Sequence, residues 1–148
     1  MRTVSPLKLQ KLLYYAHGYY SAAYGQPLVD EAFEAWQYGP VVPAVYHEFK
    51  DFGNSAITRE ATDFGWDDEE ADVIPVPPLF DDPRVQKVID YVWKQYAHLP
   101  AVALSEMTHR PDSPWDKTMK ANKFGLKNMD IPQGLIEEYF GALVKKAA

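Results

Sequence analysis

The sequence contains no cysteine among its 148 residues. Disulfide bonds, thiolate nucleophiles, cysteine-ligated zinc and iron–sulfur clusters are therefore excluded. The 47% apolar and 14% aromatic content makes wholesale disorder a poor description of the chain. A chain of this length forms one domain as a rule, and we expect residues 1–148 to do so.

Long apolar runs are also missing. No stretch approaches the roughly 18 apolar residues that a membrane-spanning helix needs. The segment after Met1 carries Lys8 and Lys11 within an amphipathic pattern, unlike the apolar centre of a signal peptide. We therefore expect a cytoplasmic protein without a membrane partner.

Positive charge is scarce. Fifteen lysine and arginine residues stand against 21 acidic residues, and the formal net charge is −6. Six of the acids lie between Asp63 and Asp72 with no base among them. A nucleic-acid-binding protein needs a basic stripe that neutralises phosphates, so direct nucleic-acid binding is not expected. The acidic stretch, about residues 60–72, is predicted to be a surface loop.

The common catalytic motifs are absent too. The chain has neither a Gly-x-Ser-x-Gly elbow nor a glycine-rich phosphate loop. Ser105, His109 and Ser113 are close in sequence, but a triad is defined by geometry, and Ser113 suits a helix cap. We expect no enzyme activity, catalytic residue, cofactor or metal, and a hydrolase remains a minor alternative. The four histidines lack the close helical spacing of paired metal ligands: His17, His47, His98 and His109.

The patterns that are present predict a helix-rich α+β fold of about five helices and one small antiparallel sheet. Ser5 and Pro6 can start a first helix that Gly25 ends after Tyr24. A strand is predicted over 33–38, ended by Gly39-Pro40, and short strands at 57–58 and 73–76 are predicted to pair with it. Further helices are predicted from Pro43 to Gly53, after Asp82, from Ala101 to Thr108, after Ser113 and after Pro132.

The first helix carries a candidate binding surface. Leu12, Ala16 and other apolar residues share one side, which we interpret as its buried face. Tyr15, Gly18 and Ala22 share the other side, where small residues beside a ring would form a shallow exposed groove. Tyrosine is a frequent interface anchor, so this side is predicted to bind a partner. Packing of the same tyrosine in the core is the alternative.

The acidic stretch is the second candidate surface. Trp66 stands directly before Asp67, Asp68, Glu69 and Glu70. An aromatic anchor beside clustered acids suits a basic face of a partner protein. A solvated spacer is the alternative, and it is the usual role of a charge run.

Three sequence blocks resemble the Panacea-domain (SocA-like) antitoxin family, whose members also occur as phage-associated proteins. The blocks follow one another in order over nearly the whole chain, and the second contains an unusual Trp-x-Tyr-Gly-Pro-Val-x-Pro core. They are Leu7-Lys-Leu-Gln-Lys-Leu-Leu-Tyr-Tyr-Ala16, Glu34-Ala-Trp-Gln-Tyr-Gly-Pro-Val-Val-Pro-Ala-Val-Tyr46, and Leu104-Ser-Glu-Met-Thr-His109 with Ser113-Pro-Trp115.

The resemblance implies a non-enzymatic antitoxin of a toxin–antitoxin system. Its partner would be a cognate toxin encoded by an adjacent gene and neutralised by direct contact, and a homo-oligomer is possible. Proteolytic delivery of a bound toxin, or another phage-associated interaction role, is the alternative. Members often carry a helix before the first block, whereas only six residues precede Leu7 here. The motif residues Trp36 and Trp115 are predicted to be structural.

Overall fold

A computed structural model describes residues 3–59, 62–64, 73–75 and 82–147. The helices are α1 (Pro6–Tyr24), α2 (Pro43–Phe49), α3 (Pro83–Tyr96), α4 (Ala101–Thr108), α5 (Pro114–Ala121) and α6 (Gln133–Ala147), with a 3-10 turn at Lys50–Phe52. The strands are β1 (Glu34–Trp36), β2 (Gly39–Val41), β3 (Thr62–Phe64), β4 (Val73–Pro75) and β5 (Met129–Asp130). The predicted helix-rich α+β class is confirmed.

Local capping chemistry sets the helix ends. The Ser5 hydroxyl accepts a hydrogen bond from the Lys8 amide at 3.3 Å, and Gly25 ends α1 in the left-handed region at φ +68°. At α5 the Ser113 hydroxyl likewise accepts from the Asp116 amide. These are the signals from which the two helix starts and the end of α1 were predicted, and those predictions are confirmed.

Helix α1 is the centre of the molecule and packs against α3, α4, α6 and β2. The prediction of an exposed side bearing Tyr15, Gly18 and Ala22 is wrong, because α3 and α6 cover that side. Tyr15 is 4% exposed, and its ring stacks on that of Tyr96 with centroids 4.5 Å apart. A Cβ on Gly18 would lie 2.2 Å from the Phe140 ring, and Ala22 packs against the core.

A buried histidine also fixes α1 to its surroundings. His17 donates from Nε2 to the Gln133 side chain at 2.8 Å and accepts at Nδ1 from the Val29 amide at 3.3 Å. The Gln133 amide in turn donates to the Ser21 hydroxyl at 2.9 Å. Burial lowers the pKa of His17, which is consistent with a neutral ring that donates on one side and accepts on the other.

The main sheet has the order β2-β1-β5 and is antiparallel throughout. The Gly39-Pro40 pair was predicted to end a strand, but it starts β2 instead. The chain turns at residues 37 and 38, and Gly39 at φ +121° allows the close return that pairs Trp36 with Gly39. Sequence patterns missed β5, which is only two residues long.

The other two predicted strand segments behave differently. Residues 57–58 are not a strand, although the Ile57 amide donates to the Val4 carbonyl at 2.8 Å. Strand β4 pairs with β3 in a separate two-stranded sheet, so its predicted pairing with the first strand is wrong. Residues Thr62–Phe64, which were predicted to belong to the acidic surface loop, form strand β3 instead.

No helix in the described part of the chain has the length and apolar character needed to cross a membrane.

Candidate functional site

A surface groove of about 690 Å³ lies between the start of α1, the β1–β2 hairpin and α2. Residues from all three elements line it, together with the turn after the 3-10 segment and the residue that precedes β5. We call it the hairpin groove, and its lining residues are Pro6, Leu7, Gln10, Trp36, Gln37, Tyr38, Val41, Tyr46, Lys50, Gly53, Asn54 and Asn128.

Side chains from two helices hold the tip of the hairpin. The Tyr38 carbonyl accepts hydrogen bonds from the Lys11 ammonium of α1 and from the Ser105 hydroxyl of α4, the latter at 2.8 Å. Lys11 is fully buried, and among the described residues no carboxylate forms a salt bridge with it. Burial lowers its pKa from 10.5 to about 8.

Glycine is required at position 39 for steric reasons. A Cβ there would lie 2.3 Å from the Lys11 ammonium nitrogen and 2.8 Å from the Thr108 hydroxyl. The φ angle of +121° adds a second penalty for any larger side chain. The buried Lys11 of the first block therefore explains why the Tyr-Gly-Pro part of the second block has glycine at position 39.

Two further side chains fix the rest of the hairpin. Gln10 accepts from the Val42 amide at 3.0 Å and donates to the Val42 carbonyl at 3.4 Å, as a neighbouring strand would do. The Trp115 indole of α5 donates to the Trp36 carbonyl at 2.7 Å. The hairpin is thus anchored through its backbone, while the side chains of Gln37 and Tyr38 at its tip remain exposed.

Trp36 and Tyr38 of the hairpin, together with Tyr46 of α2, give the groove an aromatic rim. Tyr38 is 63% exposed, and Tyr46 is 37% exposed. The Trp36 ring meets the Tyr46 ring edge to face with centroids 5.0 Å apart, and its indole donates to Glu34 at 2.9 Å. Partly exposed aromatic rings around an apolar groove are typical anchors of protein interfaces.

Trp36 and Trp115, which were predicted to be structural, have different surroundings. Trp115 is half-buried, stacks on His109 with centroids 3.9 Å apart and anchors the hairpin backbone. Trp36 is also half-buried, but its ring lines the groove instead of the core.

The predicted site residues that the structure describes are buried or partly buried. Tyr15 and Gly18 are in the core, as described above, and Ala22 is partly buried beside it. Trp66 and the acids Asp67, Asp68, Glu69 and Glu70 lie outside the described residues, so their role stays a prediction. Sequence reasoning did not assign Tyr38 and Tyr46 to a site, although both belong to the second block.

The polar residues that were considered for catalysis have structural partners. Ser105 donates to the Tyr38 carbonyl, and Ser113 donates to the Thr108 carbonyl at 2.9 Å while capping α5. His109 stacks on Trp115, and burial, followed by the charge of Lys11, lowers its pKa. Within the described ranges, no group of three histidine, aspartate or glutamate side chains is arranged to hold a metal ion.

Comparisons with known proteins agree on one family. Residues 9–116, well over half of the chain, match the model of the family described as "Antitoxin SocA-like, Panacea domain". The chain is also similar to Antitoxin SocA of Caulobacter vibrioides (strain NA1000 / CB15N), with 36% identity over 118 residues. That alignment covers 76% of this chain and 58% of the relative, so the chain spans under two thirds of the relative's length. No solved structure matches significantly.

Proposed function

Since the chain belongs to the SocA-like, Panacea-domain antitoxin family, we propose that it neutralises a cognate toxin by direct binding in the cytoplasm, without catalysis of its own. The toxin would be the product of an adjacent gene. The observation that carries the proposal is the hairpin groove with its partly exposed aromatic rim.

The geometry supports a binding role at this groove. Four side chains from α1, α4 and α5 fix the backbone of the hairpin and of Val42. A partner that docks there meets a backbone whose position is already set, so less backbone conformational entropy is lost on binding. Tyrosine and tryptophan also bury a large apolar surface while keeping one polar atom for a hydrogen bond.

The acidic stretch is retained as a second proposed contact. Trp66 and the four acids from Asp67 to Glu70 would engage a basic face of the toxin. Exposed charges are screened beyond about 8–10 Å at ordinary ionic strength. Changing the four acids to amides should therefore slow association at low salt and have little effect at high salt.

Co-expression with the adjacent gene product tests the proposal. The chain should relieve the growth arrest which that product causes, and the double variant Tyr38→Ala/Tyr46→Ala should not. Tyr91→Ala/Trp93→Ala is the matched control, because both side chains are 42% exposed aromatics on α3. The proposal fails if the groove variant, with an unchanged circular dichroism spectrum, protects as well as the control does.

The abundance of the toxin separates direct blocking from proteolytic delivery. Blocking predicts that an immunoblot shows as much toxin with the antitoxin as without it. A fall in toxin level that depends on a cytoplasmic protease would replace blocking with delivery.

A further inference from the structure

A second surface feature comprises the last residues of α5 and the turn that follows it, residues 120–127, which we call the basic loop. Phe124 is 89% exposed and Leu126 is 59% exposed, so both project an apolar side chain into solvent. The loop carries three lysines, and no acidic residue occurs between Asp116 and Asp130. In a chain with a net charge of −6, this is an apolar tip within a locally basic segment.

The loop is held in shape by one side chain. Asn122 accepts a hydrogen bond from the Leu126 amide at 3.0 Å and also donates to the Leu126 carbonyl. Gly125 adopts a left-handed conformation at φ +64°, which completes the turn between them. Phe124 is thus presented on a closed loop instead of a freely moving chain.

The three lysines of the loop differ in whether they form a salt bridge within the described residues. Lys120 forms a salt bridge with Asp116 at 2.9 Å. Lys123 and Lys127 are exposed, and neither forms a salt bridge within the described residues. These two positive charges flank Phe124 and Leu126 in sequence.

We propose that the basic loop docks an acidic segment of the partner protein that carries an apolar side chain. The exposed phenylalanine offers an apolar contact, and Lys123 and Lys127, which form no salt bridge within the described residues, favour negative charge beside it. A nucleic acid or an anionic membrane fits less well, because either presents an extended negative surface to an otherwise acidic protein.

The loop is also continuous with the hairpin groove. Asn128 follows the loop directly, and it lines the groove. A toxin seated in the groove would therefore lie against Asn128, the residue that directly follows the loop. The identity of the partner rests on the proposed function, whereas the chemistry of the loop is tested without the toxin.

The test is an NMR titration of the full-length chain with a short synthetic peptide of glutamate and aspartate around one leucine. Amide shifts should change in residues 120–127, and the affinity should fall about tenfold from low to high salt. Phe124→Ser and Lys123→Glu/Lys127→Glu should each weaken binding about tenfold, as loss of an anchor does.

Matched controls isolate the loop from general effects. Val102→Ser removes another exposed apolar side chain, 68% exposed on α4, and Lys87→Glu/Lys94→Glu makes the same change of net charge on α3. Both controls should bind the peptide like the parent chain.

Three results would overturn the inference. The first is the absence of amide shifts in the loop. The second is equal binding of a peptide with glutamine and asparagine in place of the acids. The third is tighter binding of single-stranded DNA or anionic lipid vesicles than of the acidic peptide. Each leaves the groove proposal standing, because no toxin is present. Conversely, groove variants that fail to affect toxin binding would not change the peptide result.

Discussion

Two aromatic regions of this protein are built on opposite principles. Around α1, rings fill the core: Phe140 has no exposed surface and contacts Tyr14, Tyr15 and Tyr19 edge to face, with centroids 5.1–5.7 Å apart. At the hairpin groove, polar side chains hold the backbone, and the rings of Tyr38 and Tyr46 stay partly in solvent. Aromatic content alone therefore does not distinguish an exposed region from the core.

The difference has an energetic meaning. Burial of a large apolar side chain stabilises the fold by roughly 1.5–3 kcal/mol, so the α1 rings contribute to folding. The rim rings keep much of their apolar surface exposed. The free energy of burying that surface can therefore stabilise a complex with a partner instead of the fold. Substitutions in the first region should affect stability, and substitutions in the second should affect binding.

The largest expected effect is on the core. Phe140→Ala should lower the free energy of unfolding by about 3–5 kcal/mol, because it removes a fully buried ring and leaves a cavity. Urea denaturation measures the change. Gly141→Ala, beside it on α6 with no atom within 4 Å of the new Cβ, is the control and should not destabilise the protein. A loss under 1 kcal/mol for Phe140→Ala would mean that the rings around α1 do not form the core.

A smaller effect is expected where the two regions are joined. Gly39→Ala places a Cβ against Lys11 and Thr108 at a positive φ angle, and should cost about 1–3 kcal/mol. Gly53→Ala is the control, because it shares the positive φ but has no atom within 4 Å of the new Cβ. Equal melting temperatures for the two variants would show that the contact with Lys11 does not restrict position 39.

The buried lysine predicts a pH dependence of stability. Between pH 8 and 10.5 the unfolded chain holds the Lys11 proton while the folded chain releases it, so the free energy of unfolding rises with pH. The gain from pH 7 to pH 9 should be about 1 kcal/mol. Above pH 10 the direction reverses, because burial raises the pKa of Tyr14 and Tyr15, and the folded chain then keeps protons that the unfolded chain loses.

Urea denaturation at pH 7, 8 and 9 measures this rise. Lys11→Met should abolish the rise. Lys8→Met is the control and should preserve it, because Lys8 is also a lysine of α1 that donates to a backbone carbonyl. A rise of equal size in the Lys11→Met variant would assign the pH dependence to other groups.

Much of the fold was predictable because its signals are local. Caps and prolines mark the bounds of α1, and Leu99-Pro100 marks the break between α3 and α4. The buried surroundings of Tyr15 were not predictable from a helical wheel, because a central helix is covered on several sides and its apolar stripe no longer shows which side faces solvent.

The groove was even less accessible to sequence reasoning. It depends on Lys11 reaching the Tyr38 carbonyl, a contact between residues 27 positions apart that no local pattern encodes. Resemblance marked these residues as a family motif, yet only the structure separates the anchoring side chains, such as Lys11 and Trp115, from the exposed ones, such as Tyr38.

The proposed role of the hairpin groove is tested most directly with the Tyr38→Ala variant. Its dissociation constant with the adjacent gene product and its melting temperature are measured together. Because Tyr38 is 63% exposed, its truncation should change stability by no more than about 0.5 kcal/mol. Binding should weaken by about 2 kcal/mol, or roughly thirtyfold, while Trp93→Ala binds like the parent. A Tyr38→Ala variant that keeps parental affinity would contradict the central claim that the hairpin groove holds the toxin.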